Sequence, residues 1–536
     1  MSRPWLRPVW LDRPGATGEL VSLRDLLEQA HRIRRLVGDT PPQTIALYRL
    51  LLAIMHRVYR CAGTREWERL WSADRLPEQP LMAYLSEFAD RFDLFDAERP
   101  FLQCPQLGAL APAGVAVLVP HRVTGNNVTL FDHTTAGDVL TVEPAEAARW
   151  LVTLQAYDTG GLKTPVPGGA RSSESGLLNR FGCVLVEGAN LKETLLLNLL
   201  PYAPERERPL GTRADDVPVW ERSTAPDAKP KERFARGWTD VLTWSSRRVL
   251  LHQRVEDGRT VVDGVVVTPG TTLRRPIATG ERVSPLLDVE HMAAFGGGPR
   301  TYGKKKPVPM TAVYLERHRG VWRHTEEFLL PEDERHQRPS ALRELARRMD
   351  DGAVDEHAVY TLRVFGQQLD RSGGGTITAW FEQTISAPVA LLRARSDSVG
   401  AIIGHAVALA DGAGSALTRF ERDFRDSMHA DPDRAPRLWL DSGYWPALPD
   451  PFDVFLRGLA SALQTGVSVV PVTQAWADAV GRAARTPADT RAAQPRNARQ
   501  TLVVARCLNR FHTELDGLLR RFHGYVPRFA PEGEIA

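Results

Sequence analysis

Catalysis needs particular side chains at particular spacings, and this chain has few of them. No H-E-x-x-H places two imidazoles on one helix face around zinc, no G-x-S-x-G elbow exposes a serine, and no G-x-x-x-x-G-K-[ST] loop cradles phosphate. The histidine–aspartate doublet of metal-dependent phosphohydrolases is missing too. The 14 histidines are dispersed: His318, His324 and His336 fall in a charged, solvated region, and His56 lies beside an apolar helix face as a core or boundary residue. Met349-Asp350-Asp351-Gly352 brings together two carboxylates that can hold a hard cation, although the same residues make an ordinary solvated turn. Cys104, beside Pro105, reads as a small buried residue. Cys61, Cys104, Cys183 and Cys507 are far apart and form no C-x-x-C pair, which argues against a zinc ribbon or iron–sulfur site and fits a reducing compartment. No catalytic residue, metal ligand or cofactor is assigned.

The residues that do stand out suit contact with a nucleic acid. Ala156-Tyr157-Asp158-Thr159-Gly160-Gly161-Leu162-Lys163-Thr164 opens a proline- and glycine-rich loop that runs to Gly169. Gly160 and Gly161 lack a Cβ, so their backbone can lie flat against another molecule, with a lysine close behind. A second segment, Gly296-Gly297-Gly298-Pro299-Arg300-Thr301-Tyr302-Gly303-Lys304-Lys305-Lys306-Pro307, carries three successive ammonium groups on a loop between β segments. A third, Phe365-Gly366-Gln367-Gln368-Leu369-Asp370-Arg371-Ser372-Gly373-Gly374-Gly375, offers amides and a guanidinium that can bond base edges or wedge between base pairs. The polar loop with Asn126, Asn127, Phe131 and His133 adds donors and an aromatic able to stack on an unpaired base. Each segment taken alone also reads as a plain surface turn.

The elements that must carry these loops are legible in outline. Residues 44–59 hold an apolar face at helical spacing, 81–92 read as a second helix, and 144–155 as the helix leading into the glycine loop. Residues 183–200 read strand, turn, helix, a core packing unit, and 201–231 as an exposed proline- and charge-rich connection. The middle third is β-rich, with strands at 249–255 and 261–267 flanking turns at Asp257-Gly258 and Asp263-Gly264, and further strands at 311–315, 327–330 and 358–365. After Trp380 helical periodicity returns, most clearly in Val504, Leu508, Phe511, Leu515, Leu518 and Phe522. The expected fold is therefore α+β: a mixed α/β domain over 1–379 with antiparallel β segments, then a four-helix bundle over 380–536.

Composition sets the outer limits. A chain of 536 residues with 43% hydrophobic and 25% charged residues is long enough for several domains with substantial cores. The 68 Lys+Arg against 65 Asp+Glu leave a formal net charge of +3, which rules out a histone-like wrapper and leaves room for local basic patches. The amino terminus has no apolar run of signal-peptide type, and the apolar stretches are interrupted before about 18 residues, so no membrane span and a cytoplasmic location are expected.

Together these segments resemble the CasA family, the large subunit of the type I-E CRISPR surveillance complex, Cascade. The resemblance is carried by "SLRDLLEQAHRIRRLVGDTPPQTIALYRLLLAIMHR" over 22–57, "FDLFDAERPFLQ" over 92–103, the loop around Phe131, the Gly160-Gly161 pair, "GANLKETLLLNLLP" over 188–201 and the helical carboxyl-terminal part. It implies a non-catalytic subunit that reads the protospacer-adjacent motif of double-stranded DNA from the minor groove and helps start strand separation. It implies four partners: target DNA, the 5′ handle of the guide RNA, the other Cascade subunits and a recruited helicase-nuclease. On this resemblance Gly160 and Gly161 match the glycine loop, and the lysine finger falls among Lys304, Lys305 and Lys306. The wedge falls among Gln367, Gln368, Asp370, Arg371 and Ser372, since no glutamine stands at the hairpin tip. Asn126, Asn127, Phe131 and His133 lie in the segment that contacts guide RNA or neighbouring subunits. Two other readings stay open: a metal-dependent nuclease or phosphohydrolase using Asp350 and Asp351, and a scaffold whose loops are passive turns.

Overall fold

The computed structural model describes residues 3–13, 19–120, 140–274, 286, 289–297, 310–314, 320–332, 336–370, 375–393, 397–427, 443–493 and 498–526. The chain forms two compact units, one of residues 1–314, 339–344 and 363–382, the other of 315–338, 345–362 and 383–536. Residues 315–338 and 345–362, expected in the first domain, fall in the second unit, and residues 380–382 fall in the first.

The first unit is built around the helix Pro41–Tyr59. Thr40 caps it by accepting the Gln43 N–H, and the helix is buried from Pro42 to His56. Its neighbours are the helices Pro144–Tyr157 and Trp238–Leu242. Trp150, Leu151 and Leu154 of Pro144–Tyr157 form a core with Val249, Leu251, Val262, Val265 and Val267 of an antiparallel hairpin, Arg247–Glu256 with Arg259–Pro269. The hairpin turns at Asp257-Gly258, with φ of +49° and +74°, as the sequence suggested. Asp263-Gly264 is no turn: it lies within the second strand, where Gly264 pairs with Gly114 of a short third strand, Ala113–Gly114. Residues 183–187, 363–369 and 377–382 of this unit belong to strands of a second sheet, with Val359–Leu369 between Ile377–Pro388 and Cys183–Glu187.

Polar burial in this unit is fully matched at several points. Arg49 and Glu290, exposed by 2% and 0%, pair at 2.9 Å. His56 bonds Leu52 O at 2.7 Å through Nδ1 and accepts Leu200 N–H at 3.2 Å through Nε2, the satisfied core histidine expected of it. The strand Cys183–Glu187 and the helix Leu191–Leu197, capped by Asn190, form the predicted packing unit. The connection 201–231 departs from expectation. Tyr202, Val219 and Trp220 are buried, because this proline-rich segment supplies core side chains rather than only a solvated link.

In the second unit the helices Asp397–Ser427, Pro449–Thr465, Val470–Ala492 and Ala498–Tyr525 pack on one another. Phe511 packs against Phe420 with the rings tilted by 44° and their centroids 5.7 Å apart, and Trp476 donates its indole N–H to Ala406 O at 3.0 Å. Val504, Phe511, Leu515 and Phe522 form the buried stripe the spacing predicted. Against the expectation of no such stretch, the segment Val399–Asp426 is by length and composition long and apolar enough to cross a membrane, and half of its most apolar part is buried in the fold. One strand expectation fails: Thr325–Leu329 is a helix, with Phe328 and Leu329 buried on its inner side.

Candidate nucleic-acid interface

The glycine loop is a small hairpin standing on the carboxyl end of the helix Pro144–Tyr157. Gly161–Leu162 pairs antiparallel with Ser172–Ser173, and the Gly176 N–H closes the base on Asp158 O at 2.8 Å. The two glycines do different work. A Cβ on Gly160 would stand 3.2 Å from both Ser173 O and Ser175 N, so the protein itself uses that bare position for close packing. Gly161 has φ +115° and open space where a Cβ would be. It is Gly161, with Leu162 exposed by 74%, that presents backbone outward.

Beneath the loop lies a residue that sequence reading missed. Arg247 is 1% exposed and ion-paired with Asp158. Its guanidinium also donates to Thr159 O at 2.8 Å, Glu174 O at 2.8 Å and Ser173 Oγ at 2.7 Å, so one fork ties both limbs of the loop. Lys163, the lysine close behind the glycines, sits on Asp158 at 2.7 Å with only 16% of its side chain exposed. The cations at the rim are Arg171, exposed opposite Lys163, and Lys229, whose ammonium lies 3.4 Å from where a Gly168 Cβ would be. Neither could be singled out from the sequence, because their neighbourhood is created by the fold.

The predicted wedge segment meets this loop. Gln367 is 4% exposed, which removes it from any role as a protruding wedge. Its amide donates to Tyr157 O at 3.0 Å and Asn179 Oδ1 at 2.9 Å and accepts the Trp380 indole N–H at 2.8 Å. Asn179 in turn donates to Tyr157 O at 2.9 Å and Asp158 O at 3.0 Å. These are carbonyls at a helix end, which the helix leaves without internal donors. Gln368 and Asp370 are half-buried, and the Asp370 N–H reaches Thr376 O at 2.8 Å across the mouth of the turn. Arg371 and Ser372 lie outside the described residues, as do Lys304, Lys305, Lys306, Asn126, Asn127, Phe131 and His133. The strands flanking the lysine segment are described: Phe295–Gly297 pairs antiparallel with Met310–Ala312, so Gly297 faces Met310.

The carboxylates considered for metal are placed otherwise. Asp350 pairs with Arg393 at 2.6 Å, and no group of three or more His, Cys, Asp or Glu able to hold an ion occurs among the described residues. Cys104 is buried, its thiol directed at Pro226 O at 3.1 Å, and burial raises its pKa.

Comparison with known proteins gives concordant matches. A family model described as CRISPR-associated protein Cse1 matches residues 1–486. A CRISPR-associated protein CasA/Cse1 from Thermus thermophilus is 35% identical over 272 residues, 49% of this chain and 51% of that protein, so the match spans about half the length of that relative. The solved Cse1 structure from Thermobifida fusca aligns with a TM-score of 0.80 at 27% identity, covering 97% of each chain. That of Cse1 from Acidimicrobium ferrooxidans aligns with a TM-score of 0.77 at 27% identity, covering 97% of this chain and 98% of that one.

Proposed function

We propose, from the premise that this chain belongs to the CRISPR-associated Cse1 family, that it serves as the non-catalytic DNA-recognition subunit of an RNA-guided surveillance complex in the cytoplasm. In this reading the loop of residues 158–176 rests in the minor groove beside a short motif of the target duplex. Gly161 and Leu162 supply the contacting backbone, and the turn after Val359–Leu369 helps separate the strands. The minor groove offers a degenerate pattern of donors and acceptors, so backbone placed there tolerates related motifs and senses groove shape. Sequence identity is left to pairing with the guide RNA, and motif contact nucleates the opening. Lys304, Lys305 and Lys306 act as the lysine finger, and Asn126, Asn127, Phe131 and His133 contact guide RNA or neighbouring subunits. A helicase-nuclease docks on this subunit after opening. With Gln367 buried, the wedge is drawn from Gln368, Asp370, Arg371 and Ser372.

The observation that supports this best is the split between Gly160 and Gly161: a loop locked from inside by Arg247 while its outer backbone stands open. A carboxylate at Gly160 would strike Ser173 and Ser175 and disturb the loop from within, so Leu162→Glu is the cleaner probe. In the reconstituted complex with guide RNA, Leu162→Glu should lower affinity for motif-bearing duplex at least tenfold. Binding to a guide-complementary single strand, which needs no motif, should stay within twofold. Equal effects on both targets, or none on either, would sink the reading.

A further inference from the structure

Beyond the second limb of the glycine loop, the fold holds one phenylalanine out in water. Ser173 and Ser175 of that limb share a cleft with Thr272, Leu273 and Trp244. There a second segment joins: Arg233 N–H donates to Thr272 O at 3.1 Å, Arg274 N–H donates to Arg233 O at 2.8 Å, and Arg233 bridges Leu273 in parallel register. Arg233 is fixed further by its guanidinium, which meets both oxygens of Asp240 at 2.6 and 2.8 Å and lies 4.1 Å from the centre of the Trp244 ring. Phe234 therefore stands on a pinned backbone. Its ring is nevertheless 49% exposed, and no other phenylalanine or tryptophan among the described residues is as open to solvent. The Arg274 guanidinium lies 5.0 Å from the centre of that ring. Residues 229–236 add the cations Lys229, Lys231, Arg233 and Arg236 against a single carboxylate, Glu232. Asp240 neutralises Arg233, and Asp215 lies 3.7 Å from Arg236. Lys231 and Arg274 are exposed, and neither has an ion-pair partner among the described residues.

We propose that Phe234 and Arg274 form a stacking platform for an unpaired base of the displaced target strand, with Lys231 meeting the phosphate beside it. This rests on the reading of the glycine loop as the duplex contact, and adds to it a place for the strand that the guide does not pair. An aromatic ring and a guanidinium plane both stack on the π-face that every base presents, and an ammonium group suits the adjoining phosphate. Bases inside a duplex stack on one another, so the platform gains its ligand only where pairing is broken. Of the two strands then released, one is taken up by the guide, which leaves the bases of the other free. Stacking is indifferent to sequence, as a site for a strand that differs from target to target must be. The surrounding cations favour a polyanion over an apolar protein surface. Continuity with the loop comes from Leu273, which walls the loop's cleft and immediately precedes Arg274, one Cα step of about 3.8 Å away.

The test uses the full reconstituted complex with guide RNA and two motif-bearing targets. One has both strands complete; in the other the strand that does not pair with the guide is cut back to the motif, so that no displaced strand exists. Phe234→Ala should raise the Kd for the complete target at least fivefold and change that for the cut-back target less than twofold, a separation that loss of folding would not produce. Phe234→Trp should keep the parental values. A fluorescent adenine analogue, walked through the displaced strand beyond the motif, should be quenched at one position by the parent and brighten there in Phe234→Ala. Parental affinity of Phe234→Ala for the complete target would overturn the platform, and so would an equal loss on both targets. Loss of guide RNA from the Phe234→Ala complex would overturn it as well, by assigning the ring to RNA. Leu162→Glu, measured in parallel, tests the loop separately. Motif dependence lost in Leu162→Glu, with Phe234→Ala at parental affinity, would overturn the platform alone. Motif dependence that survives Leu162→Glu, with a selective loss in Phe234→Ala, would overturn the reading of the loop and uphold the platform.

Discussion

At the scale of single residues, the loop's shape depends on one buried cation. Arg247 offers a planar fork of N–H donors that reaches two backbone carbonyls, a hydroxyl and a carboxylate at once, a geometry lysine's compact ammonium cannot reproduce. Removing one member of a buried ion pair leaves the other desolvated and costs about 3–5 kcal/mol. Arg247→Met should therefore release residues 159–163 and 171–175 from their register rather than unfold the first unit. Hydrogen exchange of the complexed subunit would register this as lost protection at the amides of Gly161 and Lys163, with the amides of the helix Pro41–Tyr59 unchanged. Unchanged protection at Lys163, whose N–H bonds Arg171 O at 2.9 Å, would mean that strand pairing alone holds the loop. The sequence marked Gly160 and Gly161 because glycine pairs are conspicuous. It could not mark Arg247, one of many arginines, because its value comes from facing four partners that lie 73 to 89 positions away.

At the scale of elements, periodic signals were readable and tertiary choices were not. The turn at Asp257-Gly258 and the stripe from Val504 to Phe522 declare themselves because their geometry is local. Asp263-Gly264 carries the same letters as a hairpin turn, yet the need for close approach by Ala113–Gly114 makes it strand. Phe328 and Leu329 were too short a run to separate strand from helix, and burial on one side decided for helix. The connection 201–231 was misread as exposed because its anchors are distant. His291 is one of them, bonding Leu210 O at 3.1 Å through Nε2 and the Ser340 hydroxyl at 2.9 Å through Nδ1. Burial, with Arg343, His56 and Arg49 adding positive charge nearby, pushes its pKa down from 6.5 to about 3. The folded state therefore keeps His291 neutral where the unfolded chain binds a proton. Its contribution is complete above pH 6.5 and is lost as pH falls from there toward 3, amounting to about 2 kcal/mol by pH 5. Thermal melting between pH 7 and pH 5 should show a fall in the transition of the first unit, and His291→Gln should flatten that slope while lowering stability at pH 7. A slope unaltered by the substitution would assign the acid sensitivity to other groups.

At the scale of the whole molecule, the near balance of charge means that affinity for DNA comes from placement. A formal net charge of +3 over 536 residues gives little long-range attraction. Many arginines are committed internally, as Arg49 is to Glu290 and Arg247 to Asp158. What remains at the rim of the glycine loop, Arg171 and Lys229, contributes through phosphate contact, and each phosphate neutralised adds about 0.9 to the slope of log affinity against log salt on B-form DNA. Replacing both by glutamine should lower that slope by about one to two in the assembled complex. The loss should be uniform across motif sequences, because phosphates carry no sequence information. Leu162→Glu behaves in the opposite way, altering the ranking of motifs through the surface that touches the groove. Titrations at four salt concentrations against a good and a poor motif separate the two. A double Arg171→Gln, Lys229→Gln complex that keeps the parental salt slope would place the duplex on another face of the first unit, and would leave the open backbone at Gly161 facing solvent.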